Sequence, residues 1–374
     1  MIVSKISRRL SSLSLIAASI VVFGGCASQP TATAPTGSAA NSASPAANQQ
    51  GLKAVRVQLS FLKQSLDAPL IVAMNKGYFA QEGLNVSYER GFGNADTISK
   101  LGTGKFDLSF SDMYNALEFN EKNPNDKVIA VAVTQSRAPF AILTLKEKGI
   151  NSPKDLVGKK LGAPTGDGPR KLFPVLAKEV GFDPNSVEWT TMEPRLRESF
   201  LLQGQVDAIS GFSTSALPSL LKGGKKLEDI NIFYYNDNGM DFYGNAILSK
   251  ASFVEQNPDT VRAFVKAYLR GLQDVLKDPT AGLDAVMASD DSKLMDREAE
   301  KVRLQVALER MFISPEVEQI GLGSVDPARL EKTLKQTAEG FGLKTTPSVA
   351  DIYTDKFLPP KEQRTLPSDR KPLS

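Results

Sequence analysis

Residues 55–89, VRVQLSFLKQSLDAPLIVAMNKGYFAQEGLNVSYE, decide the fold of this chain of 374 residues. Apolar and polar residues alternate from Val55 to Phe61, which predicts a half-buried strand. An apolar run from Pro69 to Lys76 then predicts a helix. A second strand is predicted from Asn85 to Glu89, so the stretch predicts a strand–helix–strand unit of a parallel sheet.

The alternation of strands and helices continues to residue 134 and occurs again over residues 159–210. A short pattern also repeats, LxxGxFD at residues 101–107 and LxxGxVD at residues 201–207. The repeat indicates two related lobes, each with a sheet that is mainly parallel and flanked by helices. Helices dominate after residue 250.

The predicted architecture is an α/β protein in which the second lobe is inserted into the first. A strand at residues 244–248 predicts a return to the first lobe after the insertion. Lobe 1 is therefore expected to comprise residues 53–140 and 243–366, and lobe 2 residues 141–242. Residues 367–374 are predicted to be a disordered tail.

The amino terminus has the pattern of a secretory signal. Three basic residues precede an apolar run over residues 10–23, which is shorter than the roughly 20 residues that a spanning helix needs. Residues 1–25 resemble a lipoprotein signal peptide, and this resemblance implies that the sulfur of Cys26 carries a lipid. Residues 26–52 are predicted to be a flexible tether, because Ala, Ser, Thr, Pro, Asn and Gln dominate them. We therefore expect an exported protein anchored on the periplasmic or outer face of a membrane.

Composition excludes several classes of function. The chain has 45 basic and 42 acidic residues, and the basic surplus lies within the predicted signal, so nucleic acid is not an expected partner. It has no histidine and one cysteine, which excludes Ser-His-Asp triads, imidazole metal sites and thiolate clusters. No metal or cofactor is expected.

Three motifs resemble those of a known family. They are APLIVAMNKGYFAQEGLNV at residues 68–86, LGTGKFDLSFSD at 101–112 and SPKDLVGKKLG at 152–162. They are similar to the type 2 periplasmic solute-binding proteins of the nitrate, sulfonate, taurine and thiamine-pyrimidine branch. The resemblance implies two lobes joined by two crossing segments, at residues 139–145 and 243–249. It also implies a monomer that closes over one small molecule and delivers it to the permease and ATPase of an ABC importer.

One branch that resembles these receptors is enzymatic. The thiamine-pyrimidine synthase of that branch holds pyridoxal phosphate and consumes its own histidine. Asp67 stands where that enzyme carries its histidine, and residues 241–245 stand where its cysteine cluster lies. We therefore expect a receptor and not an enzyme.

The ligand is expected in the crevice beyond the carboxyl ends of the parallel strands. Acidic side chains occupy the turns there, namely Asp67, Asp112, Asp167 and, on the second crossing segment, Asp241. Each also suits a helix cap or a turn, but together they favour an amine-bearing or pyrimidine-like heterocycle over a sulfonate or nitrate, the alternative ligands of the same family. The predicted ligand-binding residues are Gln64, Asp67, Ser111, Asp112, Thr165, Gly166, Asp167, Phe212, Asp241, Tyr243 and Asn245.

Overall fold

The computed structural model describes residues 51–374, which fold around two five-stranded sheets. The strands are β1 (Lys53–Gln58), β2 (Leu84–Glu89), β3 (Leu108–Asp112), β4 (Val128–Val133), β5 (Phe140–Leu145), β6 (Lys160–Ala163), β7 (Glu188–Thr191), β8 (Ala208–Phe212), β9 (Ile230–Tyr234) and β10 (Asn245–Lys250). The α-helices are α1 (Ala68–Asn75), α2 (Tyr78–Gln81), α3 (Asn94–Gly102), α4 (Met113–Lys122), α5 (Gly168–Val180), α6 (Arg197–Leu202), α7 (Ser213–Lys222), α8 (Ala251–Gln256), α9 (Pro258–Lys277), α10 (Pro279–Ala288), α11 (Arg297–Ala307), α12 (Pro315–Ile320) and α13 (Pro327–Phe341).

The two sheets have the same internal arrangement. The first has the order β2-β1-β3-β10-β4 and the second the order β7-β6-β8-β5-β9. In each sheet the strand that enters from the other half of the molecule, β10 or β5, pairs antiparallel with both neighbours. An antiparallel neighbour needs no crossover helix. The structure thus confirms the predicted α/β class with two mainly parallel sheets flanked by helices. We call the first sheet with α1–α4 and α8–α10 the first lobe, and the second sheet with α5–α7 the second lobe.

Local sequence explains the long helix α9. Pro258 occupies its first turn, where a missing N–H costs nothing. Val261, Phe264 and Val265 recur at helical spacing and are fully buried, as is most of Tyr268. This face packs on α1 and contacts β2 and β4, so α9 covers one side of the first sheet.

The connections between the lobes lie earlier in the chain than predicted. Residues 139–145 and 243–249 were expected to cross between lobes, but they lie largely within the sheets as β5 and β10. Both strands are buried on both faces and pair on both edges, which makes them central strands. The chain passes between the sheets at residues 134–139 and 235–244.

The segment predicted to be a disordered tail, residues 367–374, lies against the ends of α9 and α10. The Lys371 N–H donates to the Lys277 carbonyl at 2.9 Å, and its Nζ lies 2.6 Å from an Asp278 carboxylate oxygen. Leu373 packs against the apolar core of the first lobe. The tail sequence is polar, but these contacts fix its path.

Predictions for the amino terminus fall largely outside the described residues. The signal peptide of residues 1–25, Cys26 and the tether up to residue 50 are among the residues not described. Within residues 51–374, no helix combines the length and the apolar character needed to cross a bilayer.

Candidate functional site

A pocket lies at the carboxyl ends of the strands of the first sheet, with an empty volume of ≈ 320 Å³ that includes space open to solvent. It is bounded by the turn after β1, the residues after β4 and the first residue of β10. The polar lining residues are Ser60, Gln64, Asp67, Thr134, Gln135 and Asn245, and the apolar and aromatic ones are Leu66, Leu70, Phe110 and Tyr268. This is the edge of the sheet at which the sequence predicted a ligand.

Asp67 is the one charged side chain of the pocket lining. It closes a short 3-10 turn, in which the Gln64 N–H donates to an Asp67 carboxylate oxygen at 2.9 Å. The pKa of Asp67 is raised to about 7, mainly by burial and in smaller part by the negative charge of Glu300. The hydrogen bond from the Gln64 N–H and the positive charges of Arg303 and Lys63 oppose this rise. A solute group that donates hydrogen bonds or carries positive charge would satisfy this carboxyl.

A backbone network holds the amide side chains on the opposite side of the pocket. The Asn245 carbonyl accepts from the Thr134 N–H at 2.9 Å and from the Thr134 hydroxyl at 2.8 Å. The Asn245 N–H in turn donates to the Gln135 side-chain oxygen at 2.9 Å. Within the described residues the pocket thus presents fixed amides and hydroxyls that can bond a neutral polar solute.

Ser111 and Asp112 lie beside the pocket, at the end of β3. Asp112 begins α4 and accepts hydrogen bonds from the Tyr114 N–H and the Asn115 side-chain amide, each at 2.7 Å. Burial raises its pKa to about 6. A Cβ placed on Gly168 of the second lobe would lie 3.9 Å from Asp112 Oδ2, so the two lobes touch at this point.

Four of the predicted residues, Thr165, Gly166, Asp167 and Phe212, lie on the second-lobe side. Thr165 and Gly166 are exposed, and Asp167 precedes α5. One carboxylate oxygen of Asp167, Oδ2, is buried and has no hydrogen-bond partner in the described part of the chain. Burial raises the pKa of Asp167 to about 6, against the opposing charge of Arg197. Phe212 precedes α7, and its ring meets the Phe140 ring edge-on at 5.4 Å.

Asp241 and Tyr243 lie away from the pocket, on the connection from β9 to β10. The Tyr243 hydroxyl donates to Glu316 at 2.6 Å and accepts from the Asp326 N–H at 2.7 Å. Asp241 is paired with Arg329 at 3.1 Å. Both side chains are thus bonded to other residues of the protein, away from the pocket.

Of the predicted residues, the structure brings Gln64, Asp67 and Asn245 into the pocket. Sequence analysis missed Tyr268, which lies on the buried face of α9 and carries no signal that separates it from a core residue. It also missed Thr134 and Gln135, although they follow strand β4 and the rule on strand ends could have found them. Among residues 51–374, no group of three or more Asp, Glu, Cys or His side chains is placed to hold a metal ion.

Comparison with known proteins identifies similar chains. The family model described as "NMT1/THI5 like" matches residues 65–282, more than half of the chain. The riboflavin-binding protein RibY of Chloroflexus aurantiacus is 27% identical over 91% of this chain and 95% of its own. The formylaminopyrimidine-binding protein of Halalkalibacterium halodurans is 26% identical over 71% and 80%.

The similarity extends to enzymes and to solved structures. The 4-amino-5-hydroxymethyl-2-methylpyrimidine phosphate synthase of Schizosaccharomyces pombe is 23% identical over 56% of this chain and 62% of its own. The periplasmic nitrate-binding protein NrtA of Synechocystis PCC 6803 superposes with a TM-score of 0.64 at 13% identity, over 85% of this chain and 91% of that one. That likeness shows the periplasmic binding protein fold. The family match confirms the resemblance seen in the sequence motifs, and the chain therefore belongs to the NMT1/THI5-like family.

Proposed function

We propose that this chain is an exported solute-binding protein that captures a small molecule between its two lobes and delivers it to the permease of an ABC importer. The names of the two binding-protein relatives and the two-lobed fold support this assignment. A lipid on Cys26 would hold the protein, as a monomer, at the membrane beside the permease and its ATPase.

We propose further that the solute is an amine-bearing or pyrimidine-like heterocycle. The observation that carries this proposal is the charge of the pocket. Asp67 is acidic, and none of the ten lining residues is a lysine or an arginine. A free sulfonate or nitrate would face a carboxyl with no lysine or arginine in the pocket lining to pair with, whereas an amino or amidine group would donate a charge-assisted hydrogen bond to that carboxyl. The ring of such a solute could pack on Phe110 or Tyr268.

The enzymatic alternative has weaker support. The chain has no histidine, so it cannot donate one to a pyrimidine product in the manner expected of the synthase that it resembles. We therefore propose binding without turnover.

Thermal unfolding in the presence of candidate solutes tests the ligand class. We expect 4-amino-5-hydroxymethyl-2-methylpyrimidine or riboflavin to raise the melting temperature, and taurine and nitrate to leave it unchanged. At 100 times its dissociation constant a ligand should stabilise the protein by about 2.7 kcal/mol. The matched control is 5-hydroxymethyl-2-methylpyrimidine, which lacks only the amino group.

Two results would contradict the proposal. Stabilisation by taurine or nitrate alone would replace the heterocycle with an anionic solute. A covalent aldimine absorbance with pyridoxal phosphate, together with consumption of the protein, would replace the receptor with an enzyme.

A further inference from the structure

Helix α11 is attached to both lobes. Its residues Leu304 and Ala307 are fully buried in the apolar core of the first lobe. Val302 and Val306, one helical turn apart on another stripe of the same helix, pack into the apolar core of the second lobe. The helix therefore lies between the lobes and cannot keep both sets of contacts if they separate.

Glu300 of α11 is hydrogen-bonded to the turn that carries Asp67. The Ser65 N–H donates to a Glu300 carboxylate oxygen at 2.6 Å, and the Ser65 hydroxyl donates to the Glu300 carbonyl at 2.8 Å. Ser65 is fully buried, and Glu300 is 7% exposed. Because the Ser65 N–H is two residues from Asp67, Glu300 fixes the backbone of the pocket turn.

The Glu300 carboxylate is also connected to the second lobe, through Arg303. Arg303 pairs with Glu300 at 2.7 Å, and its Nε donates to the Thr214 carbonyl in the first turn of α7 at 3.0 Å. In a regular helix this carbonyl would accept the N–H of residue 218, but that residue is Pro218, which has none. The proline thus leaves the Thr214 carbonyl available to Arg303.

After Ala307, α11 continues into a π-helical turn at Leu308–Phe312, a rare conformation that usually occurs as a single turn. This turn lies next to one of the two connections between the lobes. Within this turn the Met311 carbonyl accepts the Arg137 N–H at 3.2 Å, from the segment that joins β4 to β5. One end of the helix is therefore fixed where the lobes join, and the other contacts the pocket turn.

We infer that Glu300 and Arg303 are positioning residues that couple the pocket turn at Ser65–Asp67 to the second lobe, which rests on the proposed function of capturing a solute between the lobes. A solute bound to Asp67 stabilises the turn, and the turn orients Glu300. Glu300 in turn orients Arg303 toward the Thr214 carbonyl. Separation of the lobes breaks the last of these bonds, so solute release and lobe opening are linked.

Hydrogen–deuterium exchange of the full chain tests the coupling without any ligand. Two variants perturb the bond between Arg303 and Thr214 in different ways. Arg303→Met removes the donor, and Pro218→Ala supplies a competing helical N–H to the carbonyl without changing any charge. We expect Arg303→Met to raise the exchange rate of the amides of residues 65–67, on the other lobe, by about tenfold, the effect of losing one hydrogen bond to a charged group. Pro218→Ala should raise the same rates by a smaller factor, because the Thr214 carbonyl can accept both donors.

The control is Arg297→Met, which removes an exposed ion pair between α11 and Asp284. It should leave the exchange at residues 65–67 unchanged. If Pro218→Ala and Arg303→Met also leave those amides unchanged, or if Arg303→Met accelerates exchange only within α11, the coupling is wrong. A failure of every heterocycle to bind the unaltered protein would instead contradict the proposed function, and it would not alter the exchange result.

Discussion

Replacement of Arg329 by methionine is expected to lower the free energy of unfolding by about 3 kcal/mol or more. The guanidinium donates to the Ser136 carbonyl at 2.7 Å, to the Asp241 carbonyl at 2.8 Å and to a Glu316 carboxylate oxygen at 2.9 Å. It also lies 3.9 Å from the centre of the Tyr243 ring. Ser136 and Asp241 belong to the two connections between the lobes, so this one side chain holds both connections together.

The predicted loss arises mainly from the groups that Arg329 would leave behind. The side chain of Arg329 is 12% exposed and that of Glu316 is 20% exposed, so the Glu316 carboxylate would remain largely out of water without its partner. Asp241 is 42% exposed, and solvent screens its share of the interaction. Methionine keeps most of the apolar contact of the arginine stem, which isolates the polar contribution.

Urea unfolding, followed by circular dichroism, measures the loss. Arg262→Met is the control, since Arg262 forms an exposed pair with Asp259 and its loss should change the stability by less than about 0.5 kcal/mol. Arg329→Lys keeps the charge but cannot reach the two carbonyls and the carboxylate together, so we expect an intermediate loss. If Arg329→Met and Arg262→Met have equal effects, Arg329 does not anchor the connections.

The sequence predicts those parts of the fold that depend on local patterns. The alternation in β1 and the apolar run of α1 follow directly from side-chain spacing. The strand predicted from Val55 to Phe61 forms two residues earlier, at Lys53–Gln58, and the helix predicted from Pro69 to Lys76 forms at Ala68–Asn75. The direction and position of β5 do not follow from its sequence, FAILTL. A run that is buried on both faces has no alternation to show which edge it pairs with, and only the family resemblance implied a crossing segment at residues 139–145.

Some residues of the candidate site could likewise be predicted from the sequence, and others could not. Asp67 could be predicted because it lies in the segment that joins β1 to α1, at the edge of the sheet where the carboxyl ends of the parallel strands converge. Asn245 is the first residue of β10, which runs antiparallel to β3 and so starts at the same edge. Tyr243 could not be placed, because its hydroxyl partners Glu316 and Asp326 lie 73 and 83 residues further along the chain. Tyr268 was missed for the opposite reason, since its helical spacing indicates burial but not that it borders a pocket.

Asp67→Asn is expected to stabilise the free protein at pH 8 and to abolish most ligand binding. The carboxyl has a folded-state pKa of about 7 against an ordinary value of 3.8, so the native state holds more protons than the unfolded state between these two pH values. The contribution of Asp67 to the free energy of unfolding is therefore fully present below about pH 4 and is lost as the pH rises through 7. At about 1.4 kcal/mol per pKa unit the loss reaches at most about 4 kcal/mol, and contact of the half-buried carboxyl with water reduces it.

Asparagine has the same shape, and its oxygen can still accept the Gln64 N–H, but it does not ionise. Urea unfolding from pH 4 to pH 8 should therefore show a flatter stability profile for Asp67→Asn than for the unaltered protein. Asp112→Asn is the matched control, because it removes a buried carboxyl with a pKa of about 6 beside the pocket, and its effect should be centred one pH unit lower.

The two effects of Asp67→Asn have opposite signs, and this separates a ligand-binding carboxyl from a helix cap. If Asp67 serves the solute, the variant should be more stable at pH 8 and should bind 4-amino-5-hydroxymethyl-2-methylpyrimidine at least tenfold more weakly in isothermal titration calorimetry, since a charge-assisted hydrogen bond is lost. A group retained for binding at a cost in stability behaves in this way. If the variant is less stable at pH 8 and binds equally well, the carboxyl stabilises only its own turn. The acidic character of the pocket would then no longer indicate an amine-bearing solute.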